Sequence, residues 1–124
     1  MTAVTPLRVL VVDDARDTAD TLAYLVRLWG HEVRVAYDGH AALGEALAYG
    51  PDIVLMDIGM PGMDGWEAIS RLRKQEGARK ALCVAVTAYG KEEDRRRSRQ
   101  AGFDYHLVKP LDPNVLEQLL SEQR

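Results

Sequence analysis

Three carboxylates, one hydroxyl and one ammonium stand where apolar runs of this chain end: Asp13, Asp14, Asp57, Thr87 and Lys109. The sharpest case is RVLVVDDARD, residues 8–17, in which Val9-Leu10-Val11-Val12 stops at two adjacent acids. Like charges about 4 Å apart at an effective dielectric near 20 repel by roughly 4 kcal/mol. A lone Asp after a strand reads as a turn residue or a helix cap. One cap needs one acid, so the pair asks for another explanation. Clustered carboxylates call for a cation, and an all-oxygen set suits magnesium, with manganese the other ion it accepts. A lysine and a threonine beside a cation suit a phosphoryl group, whose oxygens pair with the ammonium and accept from the hydroxyl. A carboxylate in such a site is also a nucleophile towards phosphorus. Asp57, at the end of a central apolar run, is the candidate for that role.

The elements that must position these groups alternate between two periods. Leu7–Val12 is continuous and valine-rich, as a strand covered on both faces should be. Asp17–Trp29 carries a helical stripe, Leu22, Leu25, Val26 and Trp29, closed by Gly30. HEVRVA alternates like a half-covered strand, and Asp38 caps an expected helix His40–Tyr49 that Gly50-Pro51 stops. Ile53–Met56 is a second buried strand, and IGMPGMDG leads to a helix expected over Trp66–Gln75. ALCVAVTA is a third buried strand, ending at Thr87; KEEDRRRSRQAG is a polar helix; DYHLV is a short strand ending at Lys109. Asp112 and Pro113 read as the cap and first residue of a last helix striped by Val115, Leu116, Leu119 and Leu120.

Five βα units without repeat or linker predict one domain over residues 1–124. The fold class expected is α/β: a doubly wound, flavodoxin-like (βα)5 three-layer sandwich with a parallel sheet between helices. The first, third and fourth strands are the most apolar and belong in the centre, which the order 2-1-3-4-5 satisfies. Ligands of such sheets bind beyond the carboxyl ends of the strands, at the switch point between strands 1 and 3. All five reactive groups lie at those ends, and capping alone does not bring four strands together.

Composition excludes several classes. Hydrophobic residues make up 47% of the 124, too many for a disordered chain. A net charge of −3 gives no general attraction to nucleic acid or anionic membrane. The one cysteine, Cys83, lies in an apolar run and reads as a buried small hydrophobe. The opening MTAVTPLRVL lacks the pattern of a signal peptide, and no apolar run approaches a membrane span, so a cytoplasmic location is expected.

Four motifs, VLVVDD, VLMDIGMPGMDG, VAVTAYG and HLVKP, resemble in order and spacing those of response-regulator receiver domains of two-component (phosphorelay) signalling, chemotaxis regulators among them. The resemblance covers nearly the whole chain. It implies that Asp57 accepts a phosphoryl group from a sensor histidine kinase or histidine phosphotransfer protein. It makes Asp14 a direct magnesium ligand, Asp13 a ligand through water and the Gly59 carbonyl a further ligand. Thr87 and Lys109 would bind the phosphoryl oxygens, and the bond to Pro110 would be cis. The family's switch pairs the threonine with an aromatic side chain three residues before the lysine. Here that position is His106 rather than Tyr or Phe, as in receivers attached to hybrid kinases, and its ring is expected outward or mixed in the free form. In the family the residues two past the acceptor and two past the threonine flank the path of attacking water; here they are Gly59 and Tyr89, which would tune dephosphorylation. The output surface would be the fourth helix, fifth strand and fifth helix, facing a downstream protein partner. No turnover enzyme, nucleic-acid contact or membrane contact is implied. No DNA-binding or enzymatic module follows the last helix, so the chain is expected to act through protein contacts alone or as part of a longer protein.

A haloacid-dehalogenase-like metal-dependent phosphatase also forms an aspartyl phosphate, but needs a second acid two residues after the nucleophile, where this chain has Gly59. A receiver-like module without phosphorylation would lack one of the five groups. His31 and His40 read as ordinary surface residues. RRRSR reads as a solvated face, with Glu92–Arg96 and Glu93–Arg97 as supporting pairs. Trp29 reads as core and Trp66 as partly exposed.

Overall fold

Period-two alternation inside continuous apolar runs splits the strand side chains into two layers, and the structure builds its core on both. It is a computed structural model that describes residues 6–76 and 80–123; the opening residues 1–5, read above as lacking a leader, lie outside them. The elements are β1 (Arg8–Val12), α1 (Arg16–Leu28), β2 (Glu32–Ala36), α2 (Gly39–Tyr49), β3 (Ile53–Met56), α3 (Gly65–Leu72), β4 (Leu82–Thr87), α4 (Glu92–Ala101), β5 (Tyr105–Val108) and α5 (Pro113–Ser121). The strands form one parallel sheet in the order β2-β1-β3-β4-β5.

Val9, Val11, Ile53, Leu55, Val84 and Val86 face α1 and α5, meeting Ala19, Ala23, Val26, Leu116 and Leu120. Leu10, Val12, Val54, Met56, Cys83 and Ala85 face the other way, against Ala42 and Ala46 of α2 and Ala68, Ile69 and Leu72 of α3. A buried leucine-sized side chain contributes roughly 1.5–3 kcal/mol. α4 contributes little to either layer, burying only Ser98. Asp38, Asp64 and Asp112 cap α2, α3 and α5, accepting from the backbone N–H groups of Ala41, Glu67 and Asn114.

Four expectations are corrected. His31 is buried, 5% exposed, because its Nδ1 accepts the Leu7 N–H at 3.1 Å between β2 and the start of β1. α3 stops at Leu72, short of Gln75: after Arg73, whose N–H still bonds the Ile69 carbonyl, the chain tightens to i→i−3 bonds, Lys74 N–H to Arg71 (3.1 Å) and Gln75 N–H to Leu72 (3.0 Å). Trp29 is half-buried, because a groove of about 440 Å³ between α1 and α5 leaves it, Leu22 and Leu25 partly uncovered. The ion pairs among the described residues include neither Glu92–Arg96 nor Glu93–Arg97; the Arg97 guanidinium lies 4.0 Å over the Trp66 ring, a cation–π contact. His40 is exposed, as expected. No helix among the described residues is long and apolar enough to cross a membrane.

Candidate functional site

Register decides which residues meet at the carboxyl edge of the sheet. Val12 pairs with Met56, Met56 with Ala85 and Thr87 with Val108. The backbone ladder runs one residue further: Asp13 N–H donates to the Ala36 carbonyl (3.2 Å), Asp57 N–H to Val12 (2.9 Å) and Lys109 N–H to Thr87 (2.9 Å). The acids and the lysine are therefore held on the frame of the sheet rather than on free loops.

The Lys109 ammonium sits 2.9 Å from Asp13 Oδ2 and 3.6 Å from Asp57 Oδ2, with the Asp13 and Asp57 side chains only 7% and 12% exposed. Burial alone lowers the lysine's pKa. The Asp13 hydrogen bond and the charges of Asp57 and Asp13 outweigh it, so the pKa stands above its ordinary value. Lys109 thus stays charged at neutral pH. The stability it contributes is complete below its unfolded pKa and is lost only as pH rises through the raised folded one. The Lys109–Pro110 peptide is cis. Asp13 Oδ1 accepts the Ala15 N–H at 3.0 Å, an Asx turn just ahead of α1, whose N-cap residue Ala15 has no side-chain cap, while Oδ2 binds the lysine. Thr87 is buried, and its Oγ1 accepts the Tyr89 N–H at 3.2 Å.

Asp13, Asp14 and Asp57 each offer a carboxylate oxygen within 4.8 Å of the others. Three carboxylates against one ammonium leave an excess of negative charge in a half-enclosed, all-oxygen site. That donor set fits a hard divalent cation. Saturating magnesium is expected to stabilise the fold by about 2.7 kcal/mol at 100 times the dissociation constant, a rise in melting temperature on the order of 10 °C for a chain of this size. Thermal melts with and without the ion check this. Asp14→Asn should blunt the rise while the metal-free variant melts higher than wild type, through relief of like-charge repulsion. An undiminished rise in Asp14→Asn would contradict the ligand set.

The loop after β3 is pinned by buried Ile58, Met60 and Met63, and the Ile58 carbonyl accepts from Met60 N–H (2.9 Å) and Gly65 N–H (2.8 Å). Asp57 Oδ1 accepts the Gly59 N–H at 3.3 Å. Tyr89 leans over this loop: a Cβ added at Gly59 would lie 2.9 Å from the tyrosine Oη.

The half-buried His106 ring on β5 links α4 to the loop after β4, with Nε2 2.6 Å from the Tyr89 carbonyl and Nδ1 2.8 Å from Ser98 Oγ. Ser98 Oγ also accepts the Trp66 indole N–H at 3.0 Å, and the Trp66 and Tyr89 ring centroids are 6.0 Å apart. Sequence reasoning missed Ser98 entirely. It lies inside RRRSR, where nothing distinguishes it from a solvated residue, and only its 1% exposure reveals it.

With fold and site in place, comparison with known proteins gives the class. The family model "Response regulator receiver domain" matches residues 9–121, and the chain belongs to that family of phosphorylatable signalling switches. An uncharacterised 14.6 kDa protein of Leptolyngbya boryana is 36% identical over 122 residues, covering 98% of this chain and 93% of the relative. The transcriptional regulatory protein PrrA of Mycobacterium tuberculosis is 40% identical over 120 residues, covering 97% of this chain but 49% of PrrA, so the chain spans about half of that regulator. Among solved structures, the chemotaxis protein CheY4 of Vibrio cholerae superposes with a TM-score of 0.90 at 28% identity, covering 97% of this chain and 100% of that one. The receiver domain of a Pseudomonas aeruginosa sensor histidine kinase, solved with a magnesium ion coordinated in its active-site cleft, gives 0.86 at 29% identity, covering 96% and 98%. Neither family nor fold supports the haloacid-dehalogenase alternative.

Proposed function

We propose that Asp57 is the phosphoacceptor of a receiver unit spanning residues 1–124. The observation that carries this is the convergence of Asp13, Asp14 and Asp57 on one point, with Lys109 bridging Asp13 and Asp57. A phosphohistidine of a sensor kinase or phosphotransfer protein, or a small acyl phosphate, presents phosphorus in line with an Asp57 oxygen. The oxygen–phosphorus bond forms, the bond to the donor breaks, and the donor keeps the electron pair. Lys109 neutralises charge on the phosphoryl oxygens, and the Thr87 hydroxyl donates to one of them. Asp13, Asp14, Asp57 and the Gly59 carbonyl would hold a magnesium or manganese ion, which would supply further neutralisation of the phosphoryl oxygens.

Thr87 and His106 form the switch. The hydroxyl turns towards the phosphoryl group and the imidazole follows it, altering the α4–β5–α5 surface, where Tyr105 and Val115 are exposed. The output is a contact with a downstream protein in the cytoplasm rather than with nucleic acid or membrane. The domain assists its own phosphorylation and dephosphorylation but turns over no other substrate. Stoichiometric labelling by acetyl phosphate, with no steady release of phosphate from simple phosphate esters, is the expected result; sustained ester turnover would contradict it.

The label is expected to decay slowly. Gly59 offers no side chain to orient water, and Tyr89 covers the approach. Gly59→Asn must displace the tyrosine, and Tyr89→Glu replaces it with an acid, so each should speed decay by roughly tenfold, the scale of one well-placed general-base or water-orienting contact. Following label under saturating magnesium checks this, and unchanged decay in both variants would remove these positions from control.

A further inference from the structure

The hydroxyl of Ser98 lies between α3, α4 and β5, and its partners fix a direction of donation. The Tyr89 carbonyl only accepts, so His106 Nε2 must carry a proton towards it at 2.6 Å. A neutral imidazole then has Nδ1 as its acceptor, and the Ser98 O–H donates to it at 2.8 Å. The Ser98 oxygen in turn accepts the Trp66 indole N–H at 3.0 Å. Each donor and acceptor in the chain Trp66, Ser98, His106, Tyr89 is used once. The last link holds the backbone of the residue whose phenol stands over Gly59. Tyr89 is 45% exposed. The tyrosine backbone is held by two groups, its N–H on Thr87 Oγ1 and its carbonyl on His106, while its ring packs against Trp66. Burial of Ser98 makes the chain costly to break, because loss of one member leaves an enclosed polar group unpaired.

We infer that Ser98 is a positioning residue for Tyr89, holding its phenol over the phosphorylation site through His106 and thereby prolonging the life of the acyl phosphate. This rests on the reading that Asp57 carries the phosphoryl group. In hydrolysis a water oxygen bonds to phosphorus, the bond to the Asp57 oxygen breaks with its electron pair returning to the carboxylate, and the water proton leaves with inorganic phosphate. Ser98 takes no part in those bonds; it keeps the cover in place.

The test has two arms, each run on Ser98→Ala and on His106→Phe, which breaks the chain from the other side should the first variant fold poorly. In the unphosphorylated protein, nuclear magnetic resonance should show the Tyr89 ring resonances moving in both variants, with the Trp66 indole N–H also moving in Ser98→Ala. In the acetyl-phosphate-labelled protein with magnesium, each variant should lose label about three- to tenfold faster, the scale of a partly lost exclusion of water. Neither should add to Tyr89→Ala in the double variant, since both act through that residue. Still Tyr89 resonances, unchanged decay, or effects that multiply in the double variants would each overturn the inference. Absence of label on wild-type Asp57 would overturn the underlying reading and the lifetime claim with it, while the Tyr89 resonances would still judge the positioning.

Discussion

Gly65→Ala is expected to cost this chain about 2–4 kcal/mol, the range of a backbone clash in a packed site. A Cβ at Gly65 would lie 2.5 Å from the Asp57 carbonyl oxygen and 2.7 Å from Ile58 Cα, and both are backbone atoms that have no rotamer by which to withdraw. Gly65 also donates its N–H to the Ile58 carbonyl at 2.8 Å as the first residue of α3, so it cannot retreat without losing that bond. The fall in melting temperature should be on the order of 10 °C. Because the clash bears on Asp57 itself, the surviving folded protein should also label more slowly. A variant melting within a degree of wild type would show that α3 packs more loosely against the end of β3 than these distances describe.

Lys109→Met should leave the sheet intact and slow labelling of Asp57 by roughly 10²–10³, the scale of removing one preorganised donor aimed at developing charge. Methionine keeps most of the aliphatic stem but removes the ammonium that bridges Asp13 and Asp57. Those two acids then face each other and Asp14 without a fixed counter-charge. The variant should depend more steeply on magnesium for its stability than wild type does. Initial rates with acetyl phosphate across a magnesium titration separate the two effects. A labelling rate within twofold of wild type at saturating metal would mean that the lysine serves structure and not the phosphoryl group.

The edge that bears the site was legible because chemistry and period coincide there. Each central apolar run ends on a reactive residue, and a parallel sheet sends all such ends to one side. The polarity of the second and fifth runs placed them at the edges, which the observed order β2-β1-β3-β4-β5 satisfies, but it did not by itself order the three central strands. What stayed hidden depends on long-range partners. His31 is buried because the Leu7 N–H, 24 residues away, needs an acceptor, and no local pattern records that need. α3 ends at Leu72 in a tightened last turn, Lys74 and Gln75 N–H bonding three residues back, a change of bond spacing that the apolar pattern running to Gln75 does not record. Ser98 looks solvated among four arginines, yet its partners Trp66 and His106 come from α3 and β5. Asp13 showed the reverse limit: a local turn and site chemistry, which seemed alternatives, are carried by its two oxygens at once.

The central claim is that Asp57 accepts the phosphoryl group, and the most direct measurement is to locate the label. The protein is incubated with acetyl phosphate and magnesium, the acyl phosphate is trapped with borohydride or hydroxylamine, and the modified peptide is mapped by mass spectrometry. The account predicts a single modified residue, Asp57, and none in Asp57→Asn. Label on another residue, or undiminished label in Asp57→Asn, would contradict it.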